Sequence, residues 1–160
     1  MTPGIVETFN GMPVHYIDAP EALEAAAAGW LQRDVVALDT EFMRVRTFHA
    51  QAALFQVCDG DACFLVDPLA VGDLAPLARL LDARDVLKVM HSCSEDLEVC
   101  DRHLGALPDP LVDTQIVAAF CGYPLSVGYQ KMLAAEFDVQ LGKSETRTDW
   151  LQRPLSLAQI

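Results

Sequence analysis

The chain has 160 residues, of which 52% are hydrophobic and 21% are charged. This composition excludes a disordered or low-complexity protein, and the length predicts one domain over residues 1–160. No apolar run approaches the ~20 residues that a membrane-spanning helix needs, and the N-terminus lacks the basic-then-apolar order of a secretory signal. We therefore expect a cytoplasmic protein with no membrane partner.

The chain is strongly acidic. It has 11 basic and 23 acidic residues, which gives a net charge of −12 with neutral histidines. This balance argues against a simple phosphate-binding module with a basic face, and it leaves open a protein that holds divalent cations. The alternative, surface acids that only aid solubility, is equally open at this point. The five cysteines form no C-x-x-C pair, so we expect reduced core residues.

The first half of the chain has mainly strand patterns. Residues 14–17 predict an edge strand, and Asp18, a good N-cap residue, precedes a predicted helix from about 21 to 32. The uninterrupted apolar run 35–38 predicts a strand buried on both faces. Apolar runs at 52–57 and 62–66 surround an Asp-Gly pair, which predicts a β-hairpin.

The second half alternates between helix and strand patterns. It predicts a helix over 74–81, a strand over 86–90, a helix over 94–104 closed by Gly105, a helix capped by Asp113 that runs through 120, and a helix over 126–137. Strands that alternate with helices after a hairpin-rich start predict the α/β class, with a mixed sheet flanked by helices.

The last residues match the start of another helix. Ser156 and Gln159 have the spacing of a capping box and follow Pro154 closely. Only about one turn of this helix would precede Ile160, and a helix that short is not stable by itself. We therefore expect the domain to be incomplete at its C-terminus.

Asp39 and Glu41 are the first candidate site residues. They follow the apolar run 35–38, and residues two apart on a strand point to the same face, so both carboxylates project together. Two neighbouring acids at the edge of an apolar sheet repel each other, and a hard cation such as Mg²⁺ or Mn²⁺ between them would relieve this repulsion. Acids at a strand end can instead cap the next turn and face water.

A second acidic group, Glu95, Asp96 and Glu98, lies at the start of the helix predicted after the strand 86–90. Acids in a first turn are favoured by the helix dipole without any further role. A strand end and the next helix start can nevertheless meet at one sheet edge, where Asp96 would face Asp39 and Glu41. Asp113 needs no explanation beyond its predicted role as an N-cap.

Several segments in order resemble the ribonuclease D family of DEDD-type 3′→5′ exonucleases. The segment Ala-Leu-Asp-Thr-Glu-Phe-Met-Arg at 37–44 resembles the first family motif, and His-Ser-Cys-Ser-Glu-Asp-Leu-Glu-Val at 91–99 resembles the second. Further matches are Val-Asp-Thr-Gln at 112–115 with Ala-Ala-Phe-Cys-Gly at 118–122, and Lys-Ser-Glu-Thr-Arg-Thr-Asp-Trp at 143–150 with Arg-Pro-Leu at 153–155. The resemblance covers nearly the whole chain from about Val14.

The resemblance implies a ribonuclease H-like fold and two-metal hydrolysis of RNA from its 3′ end, releasing nucleoside 5′-monophosphates. Asp39 would bridge two Mg²⁺ or Mn²⁺ ions, Glu41 would bind the ion on the nucleophile side, and Asp96 would hold the other. The implied substrates are tRNA precursors and other small structured RNAs. Phe42 and Met43 are candidates to pack against the terminal nucleotide, although Phe42 is equally consistent with a core aromatic.

The chain also departs from the family pattern. The third motif, Tyr-x-x-x-Asp, would lie in the helix predicted from Ser156, beyond Ile160, and the RNA-binding HRDC domains are not represented. We therefore expect impaired activity, and the main alternative is a fragment of the same fold that binds metal or nucleic acid without turnover.

Other classes of site have weaker support. A zinc site from His91, Cys93, Cys100 and His103 would have unusual spacing. The two Asp-Thr pairs lack the glycine of an aspartic protease, and the sequence has no G-x-S-x-G motif and no P-loop.

Overall fold

The computed structural model of the chain describes residues 5–9, 11–45, 47–140 and 148–160. These residues form a seven-stranded mixed sheet flanked by helices, which confirms the predicted class. The strands are β1 (Ile5–Phe9), β2 (Met12–Ile17), β3 (Val35–Met43), β4 (Gln51–Cys58), β5 (Cys63–Val66), β6 (Leu87–Met90) and β7 (Leu111–Asp113). The helices are α1 (Pro20–Trp30), α2 (Pro68–Val71), α3 (Ala75–Asp82), α4 (Ser94–Leu104), α5 (Thr114–Phe120) and α6 (Tyr129–Phe137).

The strand order is β1-β2-β5-β4-β3-β6-β7. The neighbours β2 and β5, β3 and β6, and β6 and β7 are parallel, whereas β1 and β4 run antiparallel to their neighbours. The strands β3, β6 and β7 therefore end at one edge of the sheet, and helices α4 and α5 begin there. This is the edge at which ligands commonly bind in α/β sheets.

Two apolar clusters cover opposite faces of the sheet. On one face, α1, α3 and α4 pack against the strands, and the fully buried side chains include Leu23, Trp30, Val36 and Leu80. The second cluster joins strand residues to the segment 148–160, and its buried members are Val14, Ala53, Leu54, Leu65, Trp150 and Leu155. The segment 148–160 thus covers part of the sheet face opposite to α4.

Several local predictions are confirmed. The hairpin forms between β4 and β5, with Gly60 at φ 90° in its turn. Helix α4 has the predicted bounds and ends at Gly105 in the left-handed conformation. Asp113 caps α5 by accepting a hydrogen bond from the backbone amide of Gln115.

Other predictions need correction. The strand over 14–17 is not at the edge, because β1 pairs with the other side of β2. Ala19, not Asp18, occupies the N-cap position of α1, since the helix begins directly at Pro20. The run 35–38 is not buried on both faces: Val36 is 1% exposed but Val35 is 47% exposed. The helix predicted from 126 begins at Tyr129.

The cysteines also differ from the prediction that all five lie in the core. Cys93 and Cys100 are buried, Cys58 and Cys63 are half-buried, and Cys121 is exposed. All five are free thiols.

The residues at the predicted last helix form a turn. The Gln159 side chain accepts a hydrogen bond from the Ser156 backbone amide at 2.9 Å, which is one half of the predicted capping box. Residues 143–147 of the matched segment 143–150 lie outside the described residues.

Candidate metal centre

Asp39 and Glu41 lie inside β3, which continues two residues beyond Glu41. Strand alternation places both carboxylates on one face, while Thr40 between them points to the face covered by α4. A β-bulge in the pairing with β4 falls between Glu41 and Phe42. The extra residue of this bulge is Ala53 of β4, because Glu41 pairs with Leu54 and Phe42 pairs with Ala52.

Asp96 approaches the same part of β3 from the first turn of α4. Its Oδ1 accepts a hydrogen bond of 2.5 Å from the Thr40 hydroxyl, and both side chains are 7% exposed. Strand β6 pairs with β3 only as far as Ala37. Beyond Ala37, the edge of β3 that faces away from β4 therefore has no strand partner among the described residues. Asp96 lies at this open edge.

The charge of Asp96 acts on both acids of β3. Burial, and then the charge of Asp96, raise the pKa of Asp39 to about 6. Burial and the charges of Asp39 and Asp96 raise the pKa of Glu41 to about 7. The pKa of Asp96 is raised by burial, while the Thr40 hydrogen bond partly offsets this effect. Asp96 thus acts on both acids of β3, as expected for groups that share one region.

Arg44 lies near the site and is engaged by two acids of α4. Arg44, just after β3, donates a hydrogen bond to Glu98 at 2.9 Å and lies 3.8 Å from Glu95. This pairing joins the end of β3 to the first turns of α4. Arg44 thus pairs with Glu95 and Glu98, which are the other two acids of the acidic group that contains Asp96.

Asp113 fixes the loop that leads into α4. Its carboxylate accepts hydrogen bonds from the backbone amides of Ser92, Cys93 and Gln115. Burial alone would raise the pKa of Asp113, but these hydrogen bonds hold it below its usual value. Asp113 therefore joins the starts of α4 and α5 and does not share a site with Asp96.

The donor set fits a hard divalent cation in its chemistry. The charge of Asp96 raises the pKa of Asp39 and Glu41, a bound cation would favour their ionised forms, and carboxylate oxygens are the ligands that Mg²⁺ and Mn²⁺ prefer. Within the described ranges, however, no three His, Cys, Asp or Glu side chains surround a common point closely enough to bind an ion. Asp96 is turned toward Thr40, so one of the three ligands would have to turn toward the other two.

The alternative zinc set is not assembled either. The His91 ring bonds to the Thr114 hydroxyl and to the Val127 carbonyl, and His103 Nε2 lies within hydrogen-bond distance of the Ala50 carbonyl. These histidines therefore have structural partners in different parts of the chain.

Phe42 and Met43 lie on opposite faces of β3. Phe42 is half-buried against the cluster that contains α1 and α4, and Met43 is half-buried against the cluster of Leu54 and Trp150. Only Met43 shares the face of Asp39 and Glu41. Contact of either residue with a nucleotide stays a prediction.

A cavity of about 550 Å³ adjoins Asp39 on the same face of the sheet. Its lining is mostly apolar, and its polar members include Gln56, His91, Thr114 and Tyr129. Sequence reasoning did not place these residues beside Asp39, and it did not foresee Thr40 as the partner of Asp96. The only signal for Thr40 was its position between the two acids.

A family model described as 3′-5′ exonuclease matches residues 14–160. The chain belongs to the 3′-5′ exonuclease family. This match covers the strand with Asp39 and Glu41 and the helix with Asp96, and it confirms the resemblance found in the motifs.

Individual members of this family are close to the chain. Ribonuclease D of Pseudomonas paraeruginosa is 48% identical over 147 residues, which is 92% of this chain and 39% of that protein. The crystal structure of Escherichia coli ribonuclease D, an exoribonuclease involved in structured RNA processing, has a TM-score of 0.89 and 44% identity over 92% of this chain and 40% of that one. The chain thus spans about two fifths of the length of these relatives.

A more distant structure has the same fold. Ribonuclease D of Trypanosoma brucei, solved in complex with RNA U12, is 22% identical with a TM-score of 0.79, over 89% of this chain and 55% of that one. Within the described residues, no helix of this chain has the length and apolar character needed to cross a membrane.

Proposed function

We propose that this chain is the metal-binding part of an exoribonuclease that removes nucleoside 5′-monophosphates from the 3′ end of RNA. The observation that carries the proposal is the hydrogen bond between Thr40 and Asp96, which brings the first turn of α4 beside the part of β3 that holds Asp39 and Glu41. The charge of Asp96 on α4 raises the pKa of both Asp39 and Glu41 on β3. Neighbouring carboxylates with a perturbed pKa are typical of a functional site, and the family match supports this interpretation.

The proposed ligands are Asp39, Glu41 and Asp96. Asp39 would bridge two ions, Glu41 would bind on the side of the attacking water, and Asp96 would bind on the side of the leaving group. Bound Mg²⁺ or Mn²⁺ would lower the pKa of the water and stabilise the leaving 3′-oxygen. Thr40 holds Asp96 at the edge of β3, and Asp113 fixes the loop before it, so both act as positioning residues.

The proposed substrates are tRNA precursors and other small structured RNAs in the cytoplasm. The close similarity to Escherichia coli ribonuclease D supports an RNA substrate, and so does the distant relative that was solved with RNA. The net charge of −12 disfavours broad electrostatic contact with a phosphate backbone. We therefore propose that the ions provide the principal contact with the phosphate at the scissile bond.

We also propose that these 160 residues alone turn over RNA slowly. None of the three tyrosines is followed four residues later by an aspartate, so the sequence contains no Tyr-x-x-x-Asp motif. A site that lacks one ligand loses transition-state stabilisation, typically a factor of about 10²–10³ for one preorganised group. The alternative is a domain that binds metal or nucleic acid without any turnover.

The test combines metal binding with RNA hydrolysis. Mn²⁺ binding to the 160-residue chain is measured by water-proton relaxation for the wild type, Asp39→Asn and Asp96→Asn. Glu95→Gln is the matched control, because it removes one charge from the same turn of α4 at an exposed position. We expect both asparagine variants to bind Mn²⁺ about tenfold or more weakly, and the control to bind like the wild type.

Hydrolysis is measured with uniformly labelled single-stranded RNA, in the 160-residue chain and in a protein that extends it with a Tyr-x-x-x-Asp segment. We expect metal-dependent release of nucleoside 5′-monophosphates from the extended protein, with a loss of about 10²–10³-fold in Asp39→Asn. Full activity of Asp39→Asn in that protein would exclude the two-metal assignment. Robust trimming by the 160 residues alone would exclude the proposed impairment, and Mn²⁺ binding without turnover in the extended protein would favour the non-catalytic alternative.

A further inference from the structure

Three sulfur atoms meet on the sheet at a place that the proposed nuclease chemistry does not use. Cys58 ends β4 and Cys63 begins β5, and the two residues are direct partners across the hairpin. Met12 begins β2, which runs beside β5. The Cys58 Sγ lies 3.7 Å from the Met12 Sδ, and the Cys63 Sγ lies 3.5 Å from the same atom.

The distances fit a common metal ligand set. Metal–sulfur bonds are about 2.3 Å long, so three sulfurs around one trigonal ion lie about 4 Å from each other. The two observed separations from the Met12 Sδ are within a few tenths of an ångström of that value. These two separations would change by only a few tenths of an ångström if one ion bound all three sulfurs.

The three residues are also accessible and held by rigid elements. All three are half-buried, and both thiols line the cavity that adjoins Asp39. The hairpin turn between them is fixed by Asp59, whose carboxylate accepts hydrogen bonds from the amides of Asp61 and Ala62 and pairs with Arg33. Because Asp59 is engaged in this way, the ligand set beside it consists of sulfur alone.

We propose that Met12, Cys58 and Cys63 form a binding site for a monovalent thiophilic cation of the Cu(I) type. Two thiols and a thioether are soft ligands, which select such ions over Mg²⁺ or Ca²⁺. The site is therefore chemically independent of the carboxylates Asp39, Glu41 and Asp96.

Binding of Cu(I) would replace protons. Each thiol that coordinates loses its proton to solvent, so one ion displaces two protons while the Met12 thioether binds without any change of charge. Burial, followed by the hydrogen bond and charge of Cys58, raises the pKa of Cys63 to about 12. The apparent affinity for Cu(I) is therefore expected to rise with pH across the neutral range, because protons compete less for the sulfurs.

The experiment titrates the 160-residue chain with Cu(I) under anaerobic conditions against the chromophoric chelator bicinchoninate. We expect tight binding of one ion per chain, no competition by millimolar Mg²⁺, and three sulfur ligands by X-ray absorption. Cys58→Ser and Cys63→Ser are each expected to weaken binding about tenfold or more. Met12→Leu is expected to weaken binding less and to remove one sulfur from the coordination shell.

The matched control is Cys121→Ser, because Cys121 is an exposed thiol on a different part of the chain. Circular dichroism checks that each variant is folded. A measurement on the wild type needs no substitution: Cu(I) should protect Cys58 and Cys63, but not Cys121, from alkylation by iodoacetamide. Unchanged binding in both Cys58→Ser and Cys63→Ser, or protection of Cys121 alone, would overturn the proposal. Three sulfur ligands retained in Met12→Leu would exclude the role of the thioether.

Discussion

The Thr40 hydroxyl donates a hydrogen bond of 2.5 Å to the carboxylate of Asp96, across 56 positions of the chain. Thr40 lies between Asp39 and Glu41 on β3 but points to the opposite face, where α4 packs. The bond therefore ties the first turn of α4 to the strand that carries the other two acids. Thr40 therefore orients the Asp96 side chain and sets its distance from Asp39 and Glu41.

We predict that Thr40→Val weakens metal binding while the fold is preserved. Valine has nearly the same shape as threonine but no hydroxyl, so the Asp96 carboxylate loses its donor. Loss of a partner that orients a metal ligand typically costs about 10–100-fold in affinity or activity. Mn²⁺ binding measures the first effect, and the pKa of Asp96, followed by NMR, should rise further because the hydrogen bond now lowers it.

Thr40→Ser is the matched control for this variant, because serine keeps the hydroxyl at the same position. It should keep most of the Mn²⁺ affinity and most of the effect on Asp96. Equal Mn²⁺ affinity in the valine and wild-type proteins would show that the bond has no part in the metal site.

Asp39→Asn should stabilise the metal-free protein above neutral pH. Burial and the charge of Asp96 raise the pKa of Asp39 from 3.8 to about 6, so the folded state binds this proton more tightly than the unfolded chain. The associated stability is fully present below pH 4 and is lost as the pH rises through 6. Asparagine is uncharged, like the protonated acid, so the variant does not lose this stability as the pH rises. At pH 8 its free energy of unfolding should exceed that of the wild type by about 1–2 kcal/mol.

Chemical unfolding of both proteins in the presence of a chelator, at pH 5 and pH 8, checks this expectation. The stability difference should be small at pH 5 and should favour the variant at pH 8. The pKa of Glu41 should also fall in the variant, since the charge of Asp39 is one of its causes, although burial keeps it raised. A wild type that is more stable than Asp39→Asn at pH 8 would mean that Asp39 has a stabilising partner of its own.

Sequence reasoning found the acids of the candidate site because their placement follows from local rules. The two-residue period of a strand puts Asp39 and Glu41 on one face, and a glycine with positive φ ends α4 at Gly105 as predicted. The meeting of Thr40 with Asp96 depends on where β6 stops along β3, which is a property of strand register. Register depends on packing across the whole sheet and cannot be obtained from one segment.

The same distinction explains the errors of the sequence analysis. The residues at 14–17 have the pattern of an edge strand because nothing local indicates that β1 pairs with them. Val35 belongs to a continuous apolar run, yet it is exposed because it points to the face of β3 opposite to Val36, which is buried in the cluster under the helices. Patterns within a segment define its elements, whereas the covering of each face depends on residues far away in the chain.

Asp113→Ala should destabilise the protein by about 2–3 kcal/mol. The carboxylate caps α5 and also accepts hydrogen bonds from the amides of Ser92 and Cys93. Loss of a cap costs about 1 kcal/mol, and the two further amides lose a charged acceptor. Because these hydrogen bonds lower the pKa of Asp113, its contribution should be present above pH 4 and should fade as the solution becomes more acidic.

Asp101→Ala is the control for this prediction, because Asp101 is an exposed acid on α4. Its effect on urea unfolding should be within about 0.5 kcal/mol of zero. An Asp113→Ala protein as stable as this control at pH 7 would show that water replaces the carboxylate at all three amides.

Arg153→Ala should be the most destabilising of these substitutions, with a cost of about 3–5 kcal/mol. Arg153 forms a bidentate ion pair with Asp67 at 2.5 and 2.8 Å, and it also donates to the carbonyl of Ala53. Burial alone would raise the pKa of Asp67, but the hydrogen bonds from Arg153 and Tyr16 hold it below its usual value. Without the guanidinium, an ionised carboxylate whose side chain is only 3% exposed loses its main partner.

The control is Arg79→Ala, which removes an arginine that pairs with Glu24 at 2.6 Å. Both side chains of that pair are about half exposed or more, at 48% and 61%, so its loss should cost less than about 1 kcal/mol. The stability loss in Arg153→Lys should be intermediate between those of Arg153→Ala and Arg79→Ala, since lysine keeps the charge but cannot form the bidentate pair.

Because Arg153 anchors the segment 148–160 to β4, limited proteolysis should also cut near Trp150 faster in Arg153→Ala. Equal stability losses in the Arg153 and Arg79 variants would show that the buried pair contributes no more than a surface one.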